Sequence, residues 1–136
     1  MNLWLLDASV LLASEDSDDQ HHRDAVRLLN RDDPLATLDL AYYEVANVAV
    51  RAWRDPAAAD RLRARVAALA DDGGLERADP ALLASATAIA GDHGISVYDA
   101  AYVAAARRAG AVLVSCDVRD LVSRGLARVP AEVIGT

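Results

Sequence analysis

The chain contains no lysine; all 14 of its basic residues are arginine. Chemistry that depends on a lysine is therefore closed to it, and the Gly-Lys pair of a nucleotide-binding P-loop is missing. Cys116 is the single cysteine, which excludes an internal disulfide and a cysteine-built zinc cage. No apolar run reaches the roughly 18 residues that a membrane span needs. The first residues also lack the basic start of a secretory signal. The expectation is a cytoplasmic protein that does not associate with membrane. Positive charge is scarce as well: 21 acids leave a net charge of −7. Such a balance argues against broad attraction to a nucleic-acid backbone. It does not exclude a nucleic-acid substrate, because the local placement of the arginines decides binding and metal ions offset a local acid cluster.

What is present is a hydrophobic fraction of 54%, which excludes general disorder. Alanine supplies much of it, so helices should dominate and pack closely. The 136 residues fit one domain spanning 1–136, long enough to bury a proper core.

Residues Asn2 to Ala13 carry the most informative pattern. Leu3, Trp4, Leu5 and Leu6 are apolar, Asp7 follows, Ser9 stands two residues later, and Val10 to Leu12 return to apolar character. This reads as a buried strand that delivers a carboxylate to its C-terminal edge and hands over to a helix capped by Ser9. In open parallel sheets ligands bind outside the carboxyl ends of the strands, which is where Asp7 falls.

Strand-like and helix-like segments then alternate with short connections and no internal repeat, the signature of an α/β fold. An acidic turn from Glu15 to Asp19 leads into a helix over 20–30. Asp32-Asp33-Pro34 breaks it, and 35–38 is a second strand. Asp39 is placed to cap a helix over 40–54, on which Glu44, Asn47 and Arg51 share a face. Pro56 opens the next helix, ended by Asp71 to Gly74, and 75–77 is a short third strand. Asp79-Pro80 opens another helix, which Gly91 to Gly94 closes. An unusually apolar helix follows with Asp99 in its first turn, and Gly110 stops it. Residues 111–115 form the clearest later strand, with Asp117 just past its end. A short helix over 120–124 and an edge strand within 129–134 complete the prediction.

Two strands thus end in acids, Asp7 and Asp117, and two helices present Glu44 and Asp99 from apolar surroundings. A charge at the head of a run such as Ala100-Ala-Tyr-Val-Ala-Ala-Ala106 is tolerated only when paired or bound to metal, and no lysine is available to pair with it. If the four acids converge, repulsion raises their pKa values, and a divalent cation removes that cost. All-oxygen ligands suit Mg²⁺ or Mn²⁺, and such a site polarises a phosphodiester and activates water.

The motifs Leu5-Leu-Asp7-Ala-Ser9, Tyr43-Glu44-Val-Ala-Asn47, Ile95-Ser-Val-Tyr-Asp99-Ala-Ala-Tyr102 and Leu113-Val-Ser115-Cys-Asp117, in this order and spacing, resemble those of the PIN-domain ribonucleases. In particular they are similar to the VapC toxins of bacterial toxin-antitoxin pairs. The resemblance spans nearly the whole chain. It implies a three-layer α/β/α sandwich with a central parallel sheet, usually as a homodimer. It further implies endonucleolytic cleavage of RNA, with Asp7, Glu44, Asp99 and Asp117 around one or two Mg²⁺ or Mn²⁺ ions. Ser9 and Ser115 match small hydroxyls that orient the carboxylates, Asn47 a polar residue one turn after the Glu, and Asp120 a further acid near the site. Family members are held inactive by a cognate antitoxin (VapB-like). Of the arginines, Arg51, Arg54, Arg107, Arg108 and Arg119 are the candidates for RNA phosphates.

Other readings stand beside this one. Asp7 could serve only to cap the helix after it, Glu44 could pair with Arg51 or Arg108, and Asp99 could simply favour a helix dipole. Tyr42, Tyr43, Tyr98 and Tyr102 fit core or dimer contacts better than base stacking. A phosphotransferase with Asp7 as nucleophile would want a second Asp where Ser9 stands, and a lysine. A catalytically silent PIN-fold module that only binds a protein partner is the main alternative. It would be expected to have lost one or more of the acids, and all are present.

Overall fold

The computed structural model describes residues 2–135. Its centre is a four-stranded parallel sheet in the order β3-β2-β1-β4, built from β1 (Trp4–Leu6), β2 (Leu35–Leu38), β3 (Leu75–Glu76) and β4 (Val112–Val114). β1 is flanked on both sides: Leu6 is in register with Thr37 of β2 and with Val114 of β4. Such a strand has no face or edge in water, and Trp4, Leu5 and Leu6 are all fully buried. Thr37 tolerates burial because its hydroxyl donates to the Leu6 carbonyl at 2.8 Å.

Seven helices are described: α1 (Ala8–Glu15), α2 (His22–Leu29), α3 (Leu40–Arg51), α4 (Pro56–Asp71), α5 (Pro80–His93), α6 (Val97–Ala109) and α7 (Pro130–Ile134). A single π-helical turn, Val118–Val122, lies between β4 and α7. α6 packs across β4, β1 and β2 with α5 against it, while α1, α2, α4 and α7 form the other assembly, α4 resting on β2 and β3. The result is the three-layer α/β/α sandwich expected from the sequence. Residues 100–106 of α6 are buried on every side, so its alanine run is a close-packing device against the sheet.

Aspartates open most of the helices. Asp55 accepts from Ala58 N–H, Asp79 from Leu82 N–H, and Pro56 and Pro80 occupy the first helical positions, where no N–H is needed. Gly94 and Gly110 close α5 and α6 in the left-handed conformation, φ +66° in both.

The sequence reading is corrected at several element ends. Asp7, not Ser9, caps α1: its carboxylate accepts from the backbone N–H groups of Ser9 and Val10. Asp39 precedes α3 but makes no side-chain cap; its carboxylate accepts instead from Ala78 N–H beyond β3. α3 ends at Arg51, before the turn that places Arg54 at φ 52°. Gly91 lies within α5, which only Gly94 closes. The edge strand expected within 129–134 is instead α7, because Pro130 starts a helix; only an isolated parallel bridge joins Arg128 to Val114.

Candidate active site

Parallel pairing of β1 with β4 brings the residues after both strands to one edge. Asp7 N–H donates to the Val114 carbonyl at 3.1 Å, so Asp7 and Ser115 emerge side by side. Sheet order reverses here, since β2 and β3 lie on one side of β1 and β4 on the other; this is the crevice in which open α/β sheets hold ligands. Asp7 and Ser115 are both buried. α3 brings Glu44 over the crevice from one side and the first turn of α6 brings Asp99 from the other. The four acids Asp7, Glu44, Asp99 and Asp117 line one cavity of 190 Å³ with Ser9, Leu12, Val48 and Tyr102.

Hydroxyls fix the strand-end acids. The Ser9 hydroxyl donates to Asp7 Oδ1 and accepts from Cys116 N–H at 2.9 Å, tying the end of β1 to the end of β4. Ser115 Oγ accepts from Asp117 N–H at 3.0 Å and lies 3.4 Å from Ser9 Oγ. Asp117 Oδ1 in turn accepts from Asp120 N–H at 2.9 Å, which opens the π-helical turn. This turn carries Asp120 back toward the crevice. Oxygens of Asp99, Asp117 and Asp120 all lie within 4.8 Å of one another. Asp99 N–H is held by the Ser96 hydroxyl at 3.0 Å, the cap of α6.

Charge is concentrated without compensation. Burial pushes the Asp7 carboxyl up to about 6; hydrogen bonds from Ser115, Ser9 and Val10 pull it back, and the nearby charge of Asp99 adds to the rise. Burial likewise raises Asp99, with Asp117, Glu44 and Asp120 adding repulsion. Among the described residues no arginine comes within ion-pair distance of Asp7, Glu44, Asp99 or Asp117. Glu44 takes its hydrogen bond from the Tyr102 hydroxyl at 2.6 Å, not from Arg51 or Arg108. Burial and the Glu44 charge hold that phenol far above its ordinary pKa, so it remains a donor.

A divalent cation fits this donor set. The ligands are carboxylate oxygens, no arginine pairs with Asp7, Glu44, Asp99 or Asp117 while the exposed Arg119 reaches only Asp120, and the spacing of the Asp99, Asp117 and Asp120 oxygens accommodates the about 3 to 4 Å between ligands of one octahedral ion. Asp99 and Asp117 could hold it together with Asp120, and Asp7 and Glu44 face the same cavity.

The PIN domain family model matches residues 4–124. The chain belongs to the PIN domain family. Its fold is similar to that of Mycobacterium tuberculosis VapC20, a Sarcin-Ricin loop cleaving toxin, with a TM-score of 0.75, 21% identity, and 93% of this chain and 98% of that chain covered. It is also similar to PAE2754 from Pyrobaculum aerophilum, at TM-score 0.70 and 27% identity over 98% of this chain and 88% of that one. A toxin-antitoxin complex from Klebsiella pneumoniae aligns at TM-score 0.67 and 13% identity, covering 93% of this chain and 96% of that chain. Comparison with curated proteins gives no match.

In this PIN domain the remaining sequence candidates are scattered. Asn47 is exposed on α3 one turn after Glu44, and Arg51 is exposed one turn further. Arg119 stands on the π-helical turn, 93% exposed and 3.9 Å from Asp120. Arg107 and Arg108 end α6, the far end from Asp99. Arg108 is engaged there, by Glu76 at 3.3 Å, Asp79 at 2.9 Å and the Arg77 carbonyl at 2.6 Å. Tyr102 is buried in the core, as the sequence suggests, but its hydroxyl also reaches Glu44, a role in the site that the sequence did not assign to it. Its signal was present, since it is the one hydroxyl in the apolar stretch 100–106 and stands three residues after Asp99, on the same helix face.

Among the described residues no helix is long and apolar enough to cross a membrane.

Proposed function

We propose that this PIN domain is a Mg²⁺- or Mn²⁺-dependent endoribonuclease, the toxin of a toxin-antitoxin pair. The observation that carries the reading is the uncompensated convergence of Asp7, Glu44, Asp99 and Asp117 on one cavity at the switch point of the sheet. Asp7, Asp99 and Asp117 would hold the cation, Glu44 directly or through water. Ser9, Ser115 and Asp120 orient these acids, and Asn47 lies exposed on α3 one turn after Glu44. When bound, the cation would polarise the scissile phosphodiester and lower the pKa of a water at the site. The protein supplies the rest: it fixes the carboxylates, keeps Asp7 ready to exchange a proton for the ion, and presents phosphate-binding arginines at the rim. Arg119, exposed beside the acids, heads these, with Arg51 at the end of α3 and Arg54 in the turn after it.

Several solved relatives are toxin-antitoxin complexes, which supports a VapB-like antitoxin as the partner. Exposed Tyr43 and Val50 on α3 and Leu83 on α5 offer apolar surface for a homodimer, to be tested by light scattering.

The decisive experiment is cleavage of a mixed RNA pool by the parent protein and by Asp99→Asn, with and without Mn²⁺. Metal-dependent cleavage by the parent alone is expected. No cleavage together with no metal binding by the parent overturns the catalytic reading in favour of a protein-binding module.

A further inference from the structure

Glu44 differs from the other three acids of the cavity in how it is held. Asp7 and Asp117 are fixed by backbone N–H groups and serine hydroxyls at the ends of strands. Asp99 sits in the first turn of a capped helix on a short side chain. Glu44 stands mid-helix on a longer, more mobile side chain. Among the described residues its only polar partner is the Tyr102 hydroxyl, at 2.6 Å from Oε1.

Tyr102 is itself immobile. It is 2% exposed, packed within the alanine-rich stretch of α6, and lines the acid cavity one turn after Asp99. A phenylalanine would fill the same space; the hydroxyl adds the bond it donates to Glu44 and a contact in which its oxygen accepts from the Ala8 backbone N–H. The bond to Glu44 occupies one carboxylate oxygen and leaves the other to face the cavity.

Resting on the metal-site reading above, we propose that Tyr102 is a positioning residue: it locks Glu44 so that this acid serves a divalent cation through a single oxygen. Glu44 without Tyr102 would rotate among its staggered conformers and spend only part of its time turned toward the cavity. The cost then appears in the affinity for the ion, at the about 10-fold or greater level typical when a group that orients a ligand is lost.

The test is a double-mutant cycle read by Mn²⁺ calorimetry on the full chain, with parent, Tyr102→Phe, Glu44→Ala and the double variant. Tyr102→Phe should weaken Mn²⁺ binding about 10-fold. In the Glu44→Ala background the same substitution should weaken binding far less, since only the contact with Ala8 N–H is then lost. Equal weakening in both backgrounds, or none in the parent background, overturns the proposal while leaving the metal site standing. A parent that binds no Mn²⁺ overturns the metal site and the positioning role together. If Tyr102→Phe does not fold, proton NMR of the parent supplies the answer. The buried Tyr102 hydroxyl proton should exchange slowly and its signal should vanish in Glu44→Ala; its persistence there overturns the proposal.

Discussion

Asp7 and Asp79 perform the same local task in opposite surroundings. Each precedes a helix and caps it, Asp7 accepting from Ser9 and Val10 N–H, Asp79 from Leu82 N–H. Asp79 lies at the surface beside Arg108, and the backbone bond together with that guanidinium holds its carboxyl below the usual range. Asp7 lies buried with no arginine near it, and burial pushes it up to about 6. Capping is therefore not what separates a structural aspartate from a candidate ligand. The difference is whether its charge is answered by the protein or left for an ion to answer.

Asp7→Asn breaks this comparison most severely. Asparagine caps as well as aspartate, so the helix should survive while Mn²⁺-dependent RNA cleavage falls by more than about 100-fold, beyond the loss expected for a merely orienting partner. The metal-free variant should at the same time be more stable than the parent. Asp7 binds its proton more tightly in the folded state than in the unfolded chain, so its contribution to stability is present below pH 3.8 and lost as pH rises to about 6. The stability gap between variant and parent should grow across that window to on the order of 3 kcal/mol, read by urea melts in chelator. A flat difference would show that Asp7 is not held protonated by burial. Asp79→Asn should show the opposite sign: the Asp79 contribution is present above pH 3.8 and lost as pH falls through its lowered native pKa.

Ser9→Ala probes the same acid indirectly. It removes the hydroxyl bonded to Asp7 and leaves Cys116 N–H without its acceptor, so metal affinity should drop about 10- to 100-fold. Unchanged Mn²⁺ calorimetry would remove Ser9 from the site. The smallest effect belongs to the arginines. Arg119→Ala should weaken RNA binding and reduce the slope of log affinity against log salt by about 1, whereas Arg108→Ala, already committed to Glu76 and Asp79, should leave that slope unchanged. Equal slopes in fluorescence-anisotropy titrations of both variants would erase the distinction.

Much of the fold was legible because its signals are local. The apolar run of 3–6, the Asp-Pro pairs before α4 and α5, and the glycines after α5 and α6 each act within a few residues. The failures were local ambiguities. Both Asp7 and Ser9 are competent caps, and only backbone geometry chose Asp7. Residues 129–134 are apolar enough for a strand, but Pro130 at a helix start overrode that pattern. The acids were named from their spacing, yet the spacing could not reveal that Arg108 turns away to Glu76 and Asp79, or that Tyr102 turns in to Glu44.

The sequence by itself determined where the acids fall along the chain, which of them end strands or open helices, and that no lysine could neutralise them. Only the tertiary structure decided that Asp7, Glu44, Asp99 and Asp117 share one cavity without an arginine, and that a buried phenol holds one of them. The physical reason is that desolvation and charge pairing depend on neighbours brought together from distant parts of the chain. Parallel pairing of β1 with β4 makes neighbours of residues 7 and 115, and no local pattern encodes what surrounds them.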